Sequence, residues 1–252
     1  MTADRARWGK DSAVTAFRHE LCEQIQRLGG VVTIAEIIDL TILLRPASSA
    51  SEPSHQQRMA SAVARAAVET EASMALPRFQ IRRAAGKVVV AGSPELAAFA
   101  EELGRRADRL ADAAPLAPPL RGFQELYEVG QPQQPHGCQP FNNERLLKLA
   151  AAMSERAAVS PRQELYPRGM AAERALRLGL GALSGLGLGD GEDGFTIEQI
   201  RERVRSRYPE AEPLPDRIEL QKLLERVGLD VRWEPNKGVF LRRDATILAT
   251  SG

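Results

Sequence analysis

The first apolar pattern in the chain recurs at steps of three and four: Val14, Phe17, Leu21, Ile25 and Leu28. That spacing lines one side of an α-helix and predicts a helix over residues 12–28. Gly29-Gly30 stop it, since glycine readily takes the left-handed backbone that ends helices. Val31-Val32 predict a short extended piece. Thr33 and Glu36 have capping-box spacing and open a helix over 34–44, which ends before Pro46. PASSASEPS (46–54) is a loop by composition. A helix over 54–74 follows, with Met59, Val63 and Ala66 or Ala67 on its inner face. In RFQIRRAAGKVVVAG (78–92) the period changes to two. Phe79 and Ile81 alternate with polar residues, Ala84-Ala85-Gly86 turns, and Val88 to Val90 return as the second arm of a β-hairpin. A helix over 94–112 is charged along one side.

Residues 113–140 hold PLAPPL, QPQQP and HGCQP, which read as linker or loop. Within them GFQELYEV (122–129) has enough apolar content to pack on a neighbour. A helix over 142–157 is capped by Asn142 or Asn143, and 160–169 reads as short and extended. A helix over 171–184 carries Leu176, Leu178, Leu180 and Leu183, and GLGLGDGEDG (185–194) reads as a loop. After Phe195, Thr196 is a second N-cap and opens a helix over 197–207 with Ile197, Ile200 and Val204 inward. RYPEAEPLP (207–215) is a loop. Asp216 then caps a third helix, with Leu220, Leu223, Leu224 and Val227 inward and Gly228 at its end. LDVRWEPNKGVFLRR (229–243) is a second hairpin turning at Pro235-Asn236-Lys237-Gly238.

The two ends repeat each other. VVTIAEIIDL (31–40) lies over GFTIEQIRER (194–203), sharing Thr-Ile, then a carboxylate or amide, then Ile. Each is preceded by an amphipathic helix and followed by a Pro-bearing loop, a further helix and a hairpin. That order is the order of a winged helix, a helix-turn-helix variant with a β wing. The expected fold is therefore mainly α with small β-hairpins. It has an N-terminal winged-helix unit over 1–112, a Pro-rich linker and connector helix over 113–169, and a C-terminal winged-helix unit over 170–252.

Composition narrows the function. Lys plus Arg number 34 and Asp plus Glu 33, for a net charge of +1, so any attraction to nucleic acid must come from a local patch. The polar N-terminus is not followed by a signal core, and no window approaches about 18 apolar residues, so a cytoplasmic protein without membrane contact is expected. Cys22 and Cys138 make neither a disulfide framework nor a zinc site. His19, His55 and His136 lack ligand-spaced partners, so no metal is expected. GDGEDG (189–194) matches a glycine-rich phosphate pattern, but Asp190, Glu192 and Asp193 would repel phosphate, and it fails the calcium-loop spacing too. With no phosphate-loop lysine and no kinase catalytic loop, the chain reads as a non-enzyme without a cofactor.

In a helix-turn-helix the third helix enters the major groove, and the wing touches phosphate. In the first unit Gln56, Gln57, Arg58 and Arg65, with His55 and Ser61, lie on or near the outer face of the third helix. Arg82, Arg83 and Lys87 lie on the hairpin. Gln and Arg suit base edges, and the hairpin cations suit phosphates. In the second unit Arg201 and Arg205 share one helix face and Arg203 and Arg207 another. Arg217, Lys222 and Arg226 accompany Glu219 and Glu225 on the third helix, and the wing adds Lys237, Arg242 and Arg243. The DNA-contact candidates there are Arg201, Arg205, Arg217 and Lys237. Duplex DNA is the first expected partner. Winged helices also dock proteins, so a protein partner without DNA binding stays open as the alternative.

The stretches ELYPRGMAAERALRLGLGAL (164–183) and FTIEQIRERVRSRYPEAEPLPDRIELQKLLERVGLDVRW (195–233), and above all RYPEAEPLPDR (207–217), resemble one known family. It is the C-terminal, non-kinase region of PglW-type serine/threonine kinases of phage-defence systems. The resemblance covers roughly the last third of the chain. It implies a regulatory or sensing part of an antiviral defence complex, with a protein partner there. The kinase's catalytic residues have no counterparts here.

Overall fold

The structure is a computed structural model that describes residues 12–44, 53–113, 116–184 and 194–242, with the backbone alone at 12–14, 180–184 and 242. The loops expected at 46–54 and 185–194 thus fall largely outside the described residues, as does Arg243. The chain divides into two compact units, 1–155 and 156–252. The described part is mainly helical with small antiparallel strand sets, as the periodicities predict.

The first unit contains α1 (Ser12–Arg27), β1 (Val31–Thr33), α2 (Ile34–Leu44), α3 (Pro53–Ala72), β2 (Gln80–Ala84), β3 (Lys87–Ala91), α4 (Pro94–Ala111), α5 (Pro119–Tyr127) and α6 (Asn143–Met153). The three strands form one antiparallel sheet in the order β1-β3-β2. Val32 and Ile81 both pair with Val90. Ala85 and Gly86 turn the β2–β3 hairpin at φ 49° and 73°, the left-handed pair that a two-residue loop needs. One core joins Phe17, Leu21 and Ile25 of α1, Val32, Ile37 of α2, Ala64, Ala67 and Val68 of α3, Phe79 and Val90. Alternation along a strand sends Val31, Val89 and Ala91 to the other side of the sheet, and α4 packs on β2, β3 and α6.

Two details of these helices differ from the sequence expectation. The inner face of α3 is Ala60, Ala64, Ala67, Val68 and Glu71, while Met59 and Ala66 are exposed. Ala67 is buried and Val63 packs half-buried against the core, as expected, whereas Ala60 and Ala64 take the place expected for Met59. The helix expected over 142–157 ends at Met153, because Ser154 turns extended and its hydroxyl donates to the Asp108 carboxylate. Ala157–Val159 instead pairs as a strand with Leu165–Pro167. Asn142 supplies the N-cap, its side chain accepting from the Arg145 N–H at 2.8 Å. Within the proline-rich stretch, α5 packs on α6 and buries Leu126.

The second unit contains β4 (Ala157–Val159), β5 (Leu165–Pro167), α7 (Ala172–Ser184), α8 (Ile197–Arg207), α9 (Arg217–Arg226), β6 (Val231–Glu234) and β7 (Val239–Arg242). Phe195 exchanges both backbone hydrogen bonds with Phe240, at 3.0 and 2.8 Å, and so lies beside β7 as a one-residue strand. Ala175, Leu176, Ile200, Val204, Leu220, Leu223, Leu224, Val231 and Phe240 are buried. Tyr166 and Tyr208 meet edge-on at 5.1 Å between ring centres.

The two units repeat one local device. In the first, Thr33 N–H donates to the Glu36 carboxylate at 2.8 Å and Glu36 N–H donates to the Thr33 hydroxyl at 3.2 Å. In the second, Thr196 N–H donates to the Gln199 side-chain oxygen at 2.9 Å and Gln199 N–H to the Thr196 hydroxyl at 3.1 Å. Each capping box starts one residue after a strand residue that pairs with the last strand of a hairpin.

Candidate nucleic-acid interface

Successive residues of a helix are turned by about 100°, so on α3 the residues Arg58, Ala62, Arg65 and Glu69 fall on one line. All four are exposed, opposite the buried alanine stripe. His55 and Gln57 are exposed near the start of the helix. Gln56 is turned toward the flank and is half-buried. Arg58 and Arg65 form no ion pair with any described residue.

The hairpin cations separate by strand alternation. Arg83, paired across the sheet with Val88, is exposed and makes no ion pair with a described residue. Ile81 and Val88 lie exposed on the same face as Arg83. Arg82 and Lys87 lie on the opposite face, toward α4 and α6. Arg82 donates to the Gln80 side-chain oxygen at 2.6 Å. It also lies near Glu95, whose carboxyl is held below its usual range first by its own backbone N–H, then by Ser93, with a smaller pull from Arg82. The Lys87 ammonium donates to the carbonyls of Ala152 and Ser154, at 2.7 and 2.6 Å. A cation there complements the negative end of the α6 dipole, so Lys87 is occupied at the end of a helix.

In the second unit the cations are mostly partnered. Arg201 donates to the Pro215 carbonyl at 3.1 Å and to Asp216 at 3.2 Å. Asp216 makes no side-chain cap bond to α9. Arg205 pairs with Glu202, Lys222 with Glu219 and Arg226 with Glu173. The Arg217 guanidinium lies over the Trp233 ring, 5.5 Å from its centre. Lys237 is exposed at the hairpin turn, and Ile218 on α9 is 60% exposed. The candidates of this unit are therefore scattered: Arg201 and Arg205 on α8, Arg217 on α9, Lys237 on the turn.

Among the described residues no group of His, Cys, Asp and Glu is arranged to hold a metal ion, and no helix is long and apolar enough to cross a membrane. The second unit also holds a cleft that the sequence does not announce, lined by Arg162, Arg203 and Arg207. The shared helix face of Arg203 and Arg207 was its one visible signal, and Arg162 lies on a turn some forty residues earlier.

The chain is 33% identical to the "Probable kinase PglW" of Streptomyces coelicolor across 90% of its own length, which is 16% of the length of that protein. The similarity thus reaches well beyond the C-terminal third, and the chain spans only about a sixth of the length of the protein it is similar to. No protein-family profile matches the chain, and no solved structure matches it.

Proposed function

We propose that the chain is a non-catalytic regulatory region of a PglW-type defence protein, with two winged-helix units, one within residues 1–112 and one within 170–252. The first contacts duplex DNA. In this reading α3 is the groove helix and β2–β3 is the wing. The order helix, strand, two helices, hairpin, with a β1-β3-β2 sheet, supports the winged-helix assignment. The observation that carries the DNA reading is the set Arg58, Arg65 and Arg83, exposed and free of ion pairs with described residues, with Gln57 beside them. Arg82 and Lys87 contribute less, because their charge is already answered within the unit. The non-catalytic reading is supported by the absence of kinase motifs from the sequence and by similarity to only 16% of a kinase.

For the second unit a protein partner is the better reading. Its third-helix cations are paired or stacked, and Ile218 is exposed among them. Fluorescence anisotropy with a labelled random-sequence duplex tests both assignments. Replacing Arg58, Arg65 and Arg83 together with Ala is expected to weaken binding by roughly tenfold or more, while Lys237→Ala leaves it unchanged. Duplex affinity unchanged in the triple variant would overturn the assignment to the first unit.

A further inference from the structure

In the second unit, the turn that joins β4 to β5 and the outer face of α8 enclose a cleft of about 250 Å³, lined by Pro161, Arg162, Gly179, Arg203, Ser206 and Arg207. We propose that this cleft binds the phosphate of a phosphoserine- or phosphothreonine-bearing peptide. This gives a chemistry to the docking role of the second unit, and it stands on the cleft's own geometry.

The cleft is lined by cations. Arg203 and Arg207 lie one turn apart on α8 and face the same side. Arg207 is held at the wall, its terminal nitrogens donating to the Leu178 carbonyl at 2.8 Å and to Glu164 at 3.4 Å. Arg162 stands on a turn pinned by the buried Ser160, whose hydroxyl accepts from the N–H groups of Arg162 and Glu164 at 3.2 and 3.1 Å. Arg162 is exposed and Arg203 half-buried, and neither forms an ion pair with a described residue. The Ser206 hydroxyl, which donates to the Arg203 carbonyl at 3.0 Å, is a rotatable donor beside them. Three arginines line one cleft, and among the described residues Glu164 is the carboxylate that pairs with one of them, Arg207. A phosphate dianion supplies the missing charge and acceptor oxygens that match arginine's forked donors.

The surroundings select a peptide. A second groove of about 380 Å³ continues past Arg203 and Ser206 and is lined by Phe195, Gln199, Ile200 and Glu202. Phe195 and Ile200 offer an apolar seat for a side chain next to the phosphorylated residue. Glu202 on the same rim is paired with Arg205, so beyond Arg203 the described residues of this groove offer no free cation to the run of phosphates that a nucleic-acid strand would bring.

The test uses the full 252-residue chain and a fluorescein-labelled peptide library with a fixed central phosphoserine, beside the same library unphosphorylated. The phosphorylated library is expected to bind at least tenfold more tightly, with inorganic phosphate as a competitor. Arg203→Ala and the exposed-site variant Arg162→Ala are each expected to weaken it by roughly tenfold, with unchanged circular dichroism. Equal binding of the two libraries, or full binding by both variants, overturns the proposal. So does duplex DNA that binds in an Arg203-dependent way while the phosphopeptide does not.

Discussion

The guanidinium of Arg145 donates to the Leu28 carbonyl at 2.9 Å, to the Val31 carbonyl at 2.6 Å and to the Glu36 carboxylate. It is only 8% exposed, so nothing in water replaces those bonds when they are lost. Removing one member of a buried charge pair costs about 3–5 kcal/mol, mostly from the group left behind. Arg145→Met is therefore expected to lower unfolding free energy in urea by about that amount. The capping boxes offer a finer comparison. Glu36→Gln keeps the cap geometry that Gln199 uses but leaves Arg145 without its carboxylate, so it is expected to destabilise. Gln199→Glu lies at an exposed site and gains at most an i,i+4 pair with Arg203 worth a few tenths of a kcal/mol, so it is expected to stay within about 0.5 kcal/mol. Equal effects of the two swaps would contradict the role given to Arg145. Beneath α3, burial and then the nearby Glu71 charge push the Cys22 thiol up to about 12. The unfolded thiol ionises near pH 9 and the folded one does not, so Cys22 costs no stability well below pH 9 and its contribution is lost as pH rises from there toward 12. Thiol labelling at pH 8 is expected to modify Cys138, which is half-buried, well before Cys22.

At the scale of elements, Gly104 decides how α4 meets α6. A Cβ built there would lie 2.8 Å from the Met153 carbonyl carbon. Alanine gains roughly 1 kcal/mol of helix propensity over glycine, whereas overpacking a tight contact costs about 1–3 kcal/mol. Because the obstacle is backbone, Gly104→Ala is expected to be a net loss, read as a lower thermal midpoint. The elements themselves were legible from periodicity, capping and turn residues, since those signals are local. What escaped was set by non-local partners. The inner face of α3 is built largely from Ala60, Ala64 and Ala67, and alanine carries little periodic signal of its own. The end of α6 at Ser154 has no proline or glycine to announce it, only a hydroxyl that reaches Asp108. Lys87 reads as a wing cation in sequence, but carbonyls 65 and 67 residues away claim it. The partners of Arg145 lie 109 to 117 residues distant. The outward strip of Arg58 and Arg65 was legible, because it needs only the helix period.

Across the whole molecule, a near-neutral chain divides its charge unevenly in function. The first unit leaves Arg58, Arg65 and Arg83 exposed and without an ion pair to a described acid, and the second commits most of its surface cations to carboxylates or to Trp233. Under this account the first unit meets a polyanion and the second a protein. The most direct test is the salt dependence of duplex DNA binding by the full chain, measured by anisotropy across a series of salt concentrations. Each phosphate contact contributes about −0.9 to the slope of log affinity against log salt. The account predicts binding at low salt with a slope near −3 if Arg58, Arg65 and Arg83 each meet a phosphate, flattening by about one unit for each of them replaced by Ala. No binding at low salt, or a slope indifferent to those three arginines, would contradict it.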